Sequence, residues 1–358
     1  DHRDLHSFPT RRSSDLGGIP PQHSNQFNSV GFYITMNAVQ QPGELLVVGS
    51  INMDLVFQTS QLPTPGETVI GGSFCQVNGG KGANQAVAAA RGSTVPVKLF
   101  AAIGADGYAT SIMESFKLES RLSVALIQQV ADAATGVAAI MVDDQGENMI
   151  CVAGGANERL SSESVEAVAN QVFEQASVVL LSAEIPLATI RAVIGRTVQH
   201  GGLVILNPAP ALQDFRDAAF LADVDILTPN EHEARILSGI EVTGFDSAVE
   251  AGRRLQEFGV TTVIVTLGSQ GVVVVPPIDS IESDGPWAVS PPQVQVTDTT
   301  AAGDCFNGLL AAELARGQSL SQAVEVAVVG ASISVTRAGA QTSLPTVEEL
   351  APRIRTTD

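Results

Sequence analysis

Short apolar runs alternate with longer, helically periodic stretches along most of the chain from residue 45 onward. The short runs are rich in β-branched residues and therefore predict strands. These predicted strands are Leu45–Gly49, Val97–Ile103, Gly136–Val142, Val178–Ser182, Leu203–Leu206, Val224–Leu227, Thr262–Leu267 and Val272–Val275. The periodic stretches predict helices, and these are Ser162–Gln175, Leu187–Gln199, Asp246–Phe258 and Gly303–Ala315.

Most of the predicted strands are apolar at nearly every position, which is typical of a sheet covered on both faces. Strands that alternate with helices build right-handed βαβ units. We therefore predict an α/β fold with a doubly wound, mostly parallel sheet flanked by helices. Such sheets bind their ligands beyond the carboxyl ends of the strands.

Two regions depart from this alternation. Residues 51–79 are rich in Thr, Pro, Gly and Val and show no helical pattern, and residues 123–155 read as strands joined by turns. We predict that both regions contribute to a small β-sheet lid that closes over a site. The alternative interpretation places them as ordinary strands of the main sheet.

The first forty residues are excluded from the predicted domain, which spans residues 41–352. The segment His6–Leu16 resembles the translation of a common sequencing adapter. A non-native or disordered head and a natural start at Met36 are therefore expected. The alternative is a short targeting arm, because Arg11 and Arg12 lie beside serines as in transit peptides.

Composition narrows the class of protein. The chain is 44% hydrophobic, enough for a large core, and its formal charge of −19 argues against nucleic acid or an anionic membrane as partner. Cys75, Cys151 and Cys305 are far apart and fit neither a disulfide framework nor a zinc site, which predicts a reducing, cytoplasmic location. The sequence shows no apolar run of membrane-spanning length and no secretory signal in its first forty residues.

The strongest chemical signal is the segment Asp298–Gly308. It places small residues at the start of an apolar helix, so that the amides of Ala302 and Gly303 can bind phosphate. Asp304 lies in the first turn, where the helix dipole is expected to keep its carboxylate ionised. A carboxylate beside a phosphate can accept the proton of a hydroxyl that attacks phosphorus. The alternative is a plain helix start that Asp304 complements.

Three motifs are candidates for a ligand site. Asn52 and Asp54 point to the same side of an extended chain and can bind hydroxyls, although an Asx turn also explains them. Gly79–Gln85 is a glycine turn without P-loop spacing, and it either approaches a ligand or only caps a helix. Glu184 ends a strand, where a lone Glu is often a solvated loop residue.

Three more motifs end predicted strands. Asn207 is held out of helical geometry by the proline that follows it. The acidic groups of Thr228–Glu233 could organise Mg²⁺ through water or cap a helix. Thr266–Gly271 is a glycine turn that an ordinary β-turn explains. Because the motifs share one edge of the predicted sheet, they predict one ligand site.

Taken together, these motifs resemble the ribokinase-like (PfkB) carbohydrate kinase family over about residues 44–350. The resemblance is specific in two signatures, Gly79–Gln85 and Asp298–Asp304. It implies ATP-dependent phosphorylation of a sugar, with the 5-hydroxyl of D-ribose as the first expectation. It also implies Mg²⁺, a K⁺ activator and a homodimer formed through the lid.

The resemblance further implies the roles of individual residues. The expected base is Asp304, with an anion hole at the amides of Ala302 and Gly303. The expected sugar-binding residues are Asn52, Asp54, Gly80, Lys81, Asn84, Glu184 and Asp304. The expected ATP-binding residues are Asn207, Thr266, Leu267, Gly268, Ser269, Gln270, Gly271 and Gly303. The expected K⁺ site comprises Asp298, Thr300, Ser334, Arg337, Gly339 and Ser343, and Asn230 and Glu233 are expected to be linked to Mg²⁺.

Two other functions remain open at this point. Another member of the family, acting on deoxyribose, fructose or a nucleoside such as adenosine, would keep Asp304 and alter the sugar-binding residues. A sugar-binding relative without catalysis is the second, and an intact Asp304 argues against it. Val328 aligns where many relatives place Asn or His near adenine, so an apolar purine contact is expected and the nucleotide preference stays open.

Overall fold

The computed structural model describes residues 42–278 and 285–352, so the predicted head at residues 1–40 lies outside the described residues. The strands, numbered β1 to β13 in chain order, are Glu44–Val48, Asn52–Thr59, Ser73–Gly79, Val97–Gly104, Leu122–Val130, Gly136–Asp143, Asn148–Ala153, Ala176–Ser182, Leu203–Asn207, Ile226–Leu227, Thr262–Thr266, Val272–Val275 and Trp287–Val289. The helices, numbered α1 to α11, are Lys81–Gly92, Gly107–Phe116, Ser162–Glu166, Asn170–Gln175, Leu187–Gln199, Ala218–Leu221, Glu231–Ser238, Phe245–Gln256, Ala302–Ala315, Leu320–Ser334 and Val347–Leu350.

Nine strands form the large sheet, in the order β13-β12-β11-β10-β9-β8-β1-β4-β5. Every neighbouring pair from β11 to β5 is parallel, and β12 and β13 add an antiparallel edge. The predicted doubly wound, mostly parallel sheet is therefore confirmed. The chain leaves β1 towards β4 on one side and returns to β8 on the other, which creates a switch point at the carboxyl end of β1.

Both faces of this sheet are covered by apolar layers. Leu45 and Val47 of β1 point into one layer, packed with α1, α9 and α10. Leu46 and Val48 point into the other, packed with α5, α7 and α8. Coverage on both sides explains why the strand sequences are apolar throughout. None of the described helices is both long and apolar enough to cross a bilayer.

A second sheet has four strands in the order β3-β2-β6-β7. The segment 51–79 supplies β2 and β3, as predicted for the lid. The segment 123–155 divides: β6 and β7 join the small sheet, whereas β5 pairs in parallel with β4 at the edge of the large sheet. Assigning all of 123–155 to the lid was therefore wrong for β5, whose apolar residues pack on the main core.

The predicted helix Ser162–Gln175 is two short helices, α3 and α4. Arg196 of α5 explains the break, because its Nη1 donates to the carbonyl oxygens of Val165 and Val168 at 2.7 and 2.8 Å. In a continuous helix these two carbonyl oxygens would accept hydrogen bonds from amides four residues further along, but here they accept from the guanidinium. The periodicity was correct for both halves, but it contained no signal for this contact with α5.

Candidate active site

Five predicted motifs meet at the carboxyl edge of the large sheet. They follow β1, β8, β9, β10 and β11, which are neighbours in the sheet order. The small sheet begins directly after β1, and α1 starts where β3 ends. Helix α9 runs against α1, and Gly308 permits the close crossing, because an added Cβ would lie 2.3 Å from the carbonyl oxygen of Gln85. The fold thus brings Asp304 of α9 beside α1.

Asp304 is buried in the first turn of α9, with 8% of its surface exposed. Its Oδ2 accepts a hydrogen bond from Asn84 Nδ2 at 2.9 Å, and its Oδ1 accepts one from Gln85 Nε2 at 3.0 Å. Gln341 Nε2 in turn donates to Asn84 Oδ1 at 3.3 Å. Both carboxylate oxygens are therefore held from α1, and further lone pairs remain for a substrate hydroxyl.

The turn before Asp304 carries a strained residue. Ala301 has φ 59° and ψ 12°, the left-handed region that an L-residue with a side chain adopts at a cost of about 1–2 kcal/mol. The Ala302 amide donates to the carbonyl oxygen of Thr299 at 3.2 Å, so this half of the predicted anion hole is engaged in the turn. Gly303 is exposed, and its N–H has no acceptor among the described residues. Gly303 is thus the amide already open to an anion.

Lys81 and Glu184 form an ion pair whose two charges both act on the Asp304 carboxylate. Lys81 Nζ lies 3.8 Å from Glu184 Oε1, and both side chains are partly exposed. Ser50 Oγ donates to Glu184 Oε2 at 2.6 Å, and the Lys81 amide reaches the same oxygen at 3.4 Å. Glu184 is therefore not a solvated loop residue but is fixed between the end of β1 and the start of α1.

Asn52 and Asp54, the pair predicted to bind a polyol, lie in the first residues of β2. Asn157 Nδ2 donates to Asn52 Oδ1 at 2.8 Å, which leaves the amide of Asn52 available as a donor. An added Cβ at Gly79 would lie 2.1 Å from Asp54 Oδ2, so glycine makes room for this carboxylate. Gly80, with φ 88°, lets the backbone turn from β3 into α1 directly against Asn52.

The charges of this site are strongly coupled. Burial, followed by the nearby Glu184 and Asp304, raises the pKa of Asp54 to about 7 against the opposing effect of Lys81. Burial also raises the pKa of Asp304, and Lys81, Asn84 and Gln85 oppose this effect. The sequence-based argument from the helix dipole did not include this effect of burial, and the ionised state expected for Asp304 at neutral pH stays a prediction. Burial lowers the pKa of Lys81, but the surrounding carboxylates outweigh burial and the net shift is upward.

The residues predicted to bind ATP lie at neighbouring strand ends, and their contacts differ from one residue to the next. Asn207 ends β9, and its Nδ2 donates to the Thr228 carbonyl at 3.1 Å. The predicted turn 266–271 follows β11 and contains a short 3₁₀ segment at Gly268–Gln270. Val328 is buried in the apolar core within α10. Its side chain packs against protein in this conformation, so the expected purine contact stays a prediction.

Asn230 and Glu233 form a capping box at the start of α7. Glu233 N donates to Asn230 Oδ1 at 2.8 Å, and Asn230 N donates to Glu233 Oε2 at 2.9 Å. The capped-helix alternative is therefore what the structure shows. Burial raises the pKa of Glu233, and the opposing effect of Lys81 shows that this carboxyl faces the same site. Only Glu233 Oε1 remains free of the box.

A chain of hydrogen bonds runs from Asp304 to Gly303, and we call it, together with the backbone that joins these two residues, the hydrogen-bond ring. Gln85 Nε2 donates to Asp304 Oδ1 and to Asn207 Oδ1, the latter at 3.1 Å. Thr228 Oγ1 donates to Asn307 Oδ1 at 2.6 Å, and Asn307 Nδ2 donates to the Gly303 carbonyl at 2.8 Å. With the bond from Asn207 to the Thr228 carbonyl, the ring returns to the first turn of α9. Sequence analysis missed Gln85, Thr228 and Asn307 as site residues, although each lies inside a motif it had singled out.

The predicted K⁺-site residues lie on three adjoining segments. Asp298 Oδ1 accepts from the amide and the hydroxyl of Thr300, and Asp298 Oδ2 accepts from the Gly339 amide at 2.8 Å. Burial raises the pKa of Asp298, but these hydrogen bonds outweigh burial and the net shift is downward. Arg337 pairs with Glu349, so its side chain is not a candidate ligand. Across residues 42–278 and 285–352, no three His, Cys, Asp or Glu side chains group closely enough to hold a metal ion.

Comparison with known proteins assigns the family. The model of the pfkB family carbohydrate kinases matches residues 43–347. The chain belongs to this family and is an enzyme that transfers a phosphoryl group from ATP to a sugar.

The relatives are similar over nearly their full length. A ribokinase from Haemophilus influenzae is 40% identical over 305 residues, which cover 85% of this chain and 96% of the relative. A deoxyribokinase from Salmonella typhi is 34% identical, covering 86% and 97%. The structure of an Arabidopsis thaliana ribokinase complexed with ribose and ATP superposes with a TM-score of 0.77 at 29% identity, covering 88% of this chain and 100% of that one.

Proposed function

We propose that this enzyme transfers the γ-phosphoryl group of ATP to the 5-hydroxyl of D-ribose, giving D-ribose 5-phosphate and ADP. The observation that carries this proposal is the carboxylate of Asp304, held on both oxygens by α1 and directly beside the open amide of Gly303. Asp54, Glu184 and Asp304 are electrostatically coupled, and we propose that the pentose binds among them. The relatives named ribokinase, up to 40% identical, support ribose as the substrate.

The proposed reaction uses the residues in distinct ways. Asp54 and Asn52 bind hydroxyls of the sugar and direct its 5-hydroxyl to Asp304. Asp304 accepts the proton as that oxygen bonds to phosphorus and the bond to the ADP oxygen breaks. The Gly303 amide stabilises the negative charge of the transferred group, and the Ala302 amide adds a second donor once it leaves the Thr299 carbonyl. Asn207 and the turn after β11 bind ATP.

The test is a coupled assay of ADP release over a panel of sugars. We expect D-ribose to give the highest kcat/KM, ahead of 2-deoxyribose, fructose and adenosine. The deoxyribokinase relative makes 2-deoxyribose the most informative competitor. A higher kcat/KM for 2-deoxyribose than for ribose would overturn the choice of sugar while leaving the class of reaction intact.

We also propose Mg²⁺ as a cofactor, with Glu233 and Asn230 linked to it through water. The capping box fits this role only in part, because it leaves Glu233 Oε1 as the one oxygen free to accept from a bound water. When bound, Mg²⁺ neutralises charge on the phosphate oxygens.

A K⁺ ion is proposed at the loop of Asp298, and the structure supports an oxygen-only donor set there. The hydroxyls of Ser334 and Ser343 donate to nearby carbonyls, which leaves their lone pairs free to face a cation. Such a set suits a monovalent ion without requiring a cluster of carboxylates.

We expect activity to rise with KCl and to saturate, whereas NaCl at equal ionic strength should have a smaller effect. Asp298→Asn should raise the KCl concentration for half-activation about tenfold, the effect of losing one charged contact. Asp246→Asn, an exposed carboxylate at the start of α8, is the control. Identical KCl and NaCl curves would argue against a K⁺ site.

The small sheet supports a homodimer. The register places Val56, Cys75, Ile140, Ile150 and Val152 on the face of Asp54, and Cys75, Ile150 and Val152 are exposed. Phe57, Phe74 and Met149 are exposed on the other face. Exposed apolar patches of this extent mark interfaces, and a second small sheet is the occupant we propose.

We expect the wild-type protein to behave as a dimer in size-exclusion chromatography with light scattering. Ile150→Glu should halve the molar mass, because it places a charge in the proposed interface. Leu118→Glu, at an apolar residue that is even more exposed but lies outside the small sheet, should leave the mass unchanged. A wild-type mass near 37.1 kDa would refute the dimer.

A reducing, cytoplasmic location is proposed from the cysteines. Cys75, Cys151 and Cys305 are unpaired, and two of them are exposed. Exposed unpaired thiols are typical of proteins that work in a reducing compartment.

A further inference from the structure

Gln85 is a buried polar side chain of the candidate site whose hydrogen-bonding groups are only partly satisfied. It is fully buried on α1, where most of the other buried residues are small and apolar. Both hydrogens of its Nε2 are used, one on Asp304 Oδ1 and one on Asn207 Oδ1. Its Oε1 is buried and has no hydrogen-bond partner. A buried polar atom left without a partner calls for a physical explanation.

The two acceptors supply that explanation. If the amide were reversed, Oε1 would face the oxygens of Asp304 and Asn207, and neither can donate a proton while Asp304 is ionised. The amide therefore keeps its NH₂ group on the carboxylate and leaves its own oxygen unsatisfied. The close crossing at Gly308 brings α9 near enough for this contact.

We propose that Gln85 is a positioning residue that orients the Asp304 carboxylate towards the sugar hydroxyl and fixes it relative to Asn207 on the nucleotide side. One amide thus sets the distance between the base and the residue expected to contact ATP. This inference rests on the proposed function for its kinetic consequence but not for its effect on Asp304 itself.

The charges around Asp304 indicate what the loss of this amide does. Lys81 on α1, Glu184 after β8, Asp54 on β2 and Glu233 on α7 all act on Asp304, and only Lys81 favours its ionised form. The Asn84 and Gln85 amides act with Lys81 to lower its pKa against burial. Without the Gln85 amide, protonation of Asp304 becomes easier and its carboxylate is free to rotate about the remaining contact with Asn84.

The test is Gln85→Met, which keeps the length and volume of the side chain and removes both donors. The kcat for ribose at pH 7 should fall about 10- to 100-fold while both KM values stay within about twofold. The acid limb of the kcat profile should move up by about one pH unit, the effect of one lost hydrogen bond to a charge. Ser93→Ala is the control, because it removes a buried hydroxyl just beyond α1 that also lacks a hydrogen-bond partner. It should change neither kcat nor the acid limb of the profile.

A second readout does not depend on the sugar. With ¹³C-labelled aspartate, the Asp304 carboxyl resonance is assigned by its loss in Asp304→Asn, and its titration midpoint should rise by about one pH unit in Gln85→Met. If Gln85→Met does not fold, Gln85→Leu is measured in the same way. Unchanged midpoints, or lower thermal stability with an unshifted acid limb, would overturn the role of Gln85. If the wild-type protein is inactive on ribose but the Asp304 midpoint still rises in Gln85→Met, the choice of ribose is disproved and the role of Gln85 stands.

Discussion

Asp304→Asn should lower kcat about 10³-fold, within the range expected for removing a general base. The KM for ribose should stay within about twofold, because Asp54, Asn52 and Glu184 still bind the sugar. The asparagine keeps the shape of the side chain, but its NH₂ group cannot accept a hydrogen bond, so the proton acceptor is lost together with one of the two bonds from Asn84 and Gln85. Steady-state assays with saturating ATP measure both quantities.

Asp225→Asn is the matched control for this variant. Burial raises the pKa of Asp225 to about 6, and its Oδ2 accepts from the Val204 amide at 2.7 Å. Asp225 lies just before β10, at the opposite edge of the sheet from the candidate site. Its replacement should leave kcat unchanged. A near-normal kcat in Asp304→Asn itself would contradict the assignment of Asp304 as the base.

Asp54→Asn should raise the KM for ribose about 100-fold, because charged hydrogen bonds to two hydroxyls are lost at about 1.5 kcal/mol each. The kcat should change little, and the KM for ATP should not change. Wild-type kcat/KM for ribose should also decline below pH 7, because Asp54 becomes protonated there and loses acceptor capacity. Asp144→Asn, in the exposed turn between β6 and β7, is the control.

The same pKa shift predicts how stability depends on pH. A carboxyl whose pKa is raised on folding binds its proton more tightly in the native state, so the free energy of unfolding falls as the pH rises from about 4 to about 7. Removing the charge at residue 54 should therefore raise the melting temperature at pH 8 and have little effect at pH 4. A lower melting temperature for Asp54→Asn than for the wild type at pH 8 would show that the ionised form of Asp54 stabilises the fold.

The fold was largely predictable because its signals are local. The continuous β-branched run Thr262–Leu267 is a buried strand, and the small residues around Gly303 do begin a helix after a strained turn. The failures came from contacts between distant parts of the chain. Arg196 divides the helix predicted at Ser162–Gln175, and β5 joins the large sheet because its apolar side chains pack on the main core.

The strand ends that carry the site residues were predictable, but the hydrogen bonds that connect those residues were not. Asn84 and Asp304 are 220 positions apart, and no periodicity links them. Gln85 looked like an ordinary helix residue because Gln is a good helix former. The raised pKa of Asp304 depends on how deeply α9 packs beside α1, which the dipole argument from sequence ignored.

The direct test uses ribose labelled with ¹⁸O at its 5-hydroxyl, incubated with ATP and the enzyme. If Asp304 removes the proton so that this oxygen attacks phosphorus, ³¹P spectroscopy must find the label in the bridging oxygen of the sugar phosphate. Label absent from the bridge, or ADP formed without a labelled ester, would contradict phosphoryl transfer to that hydroxyl.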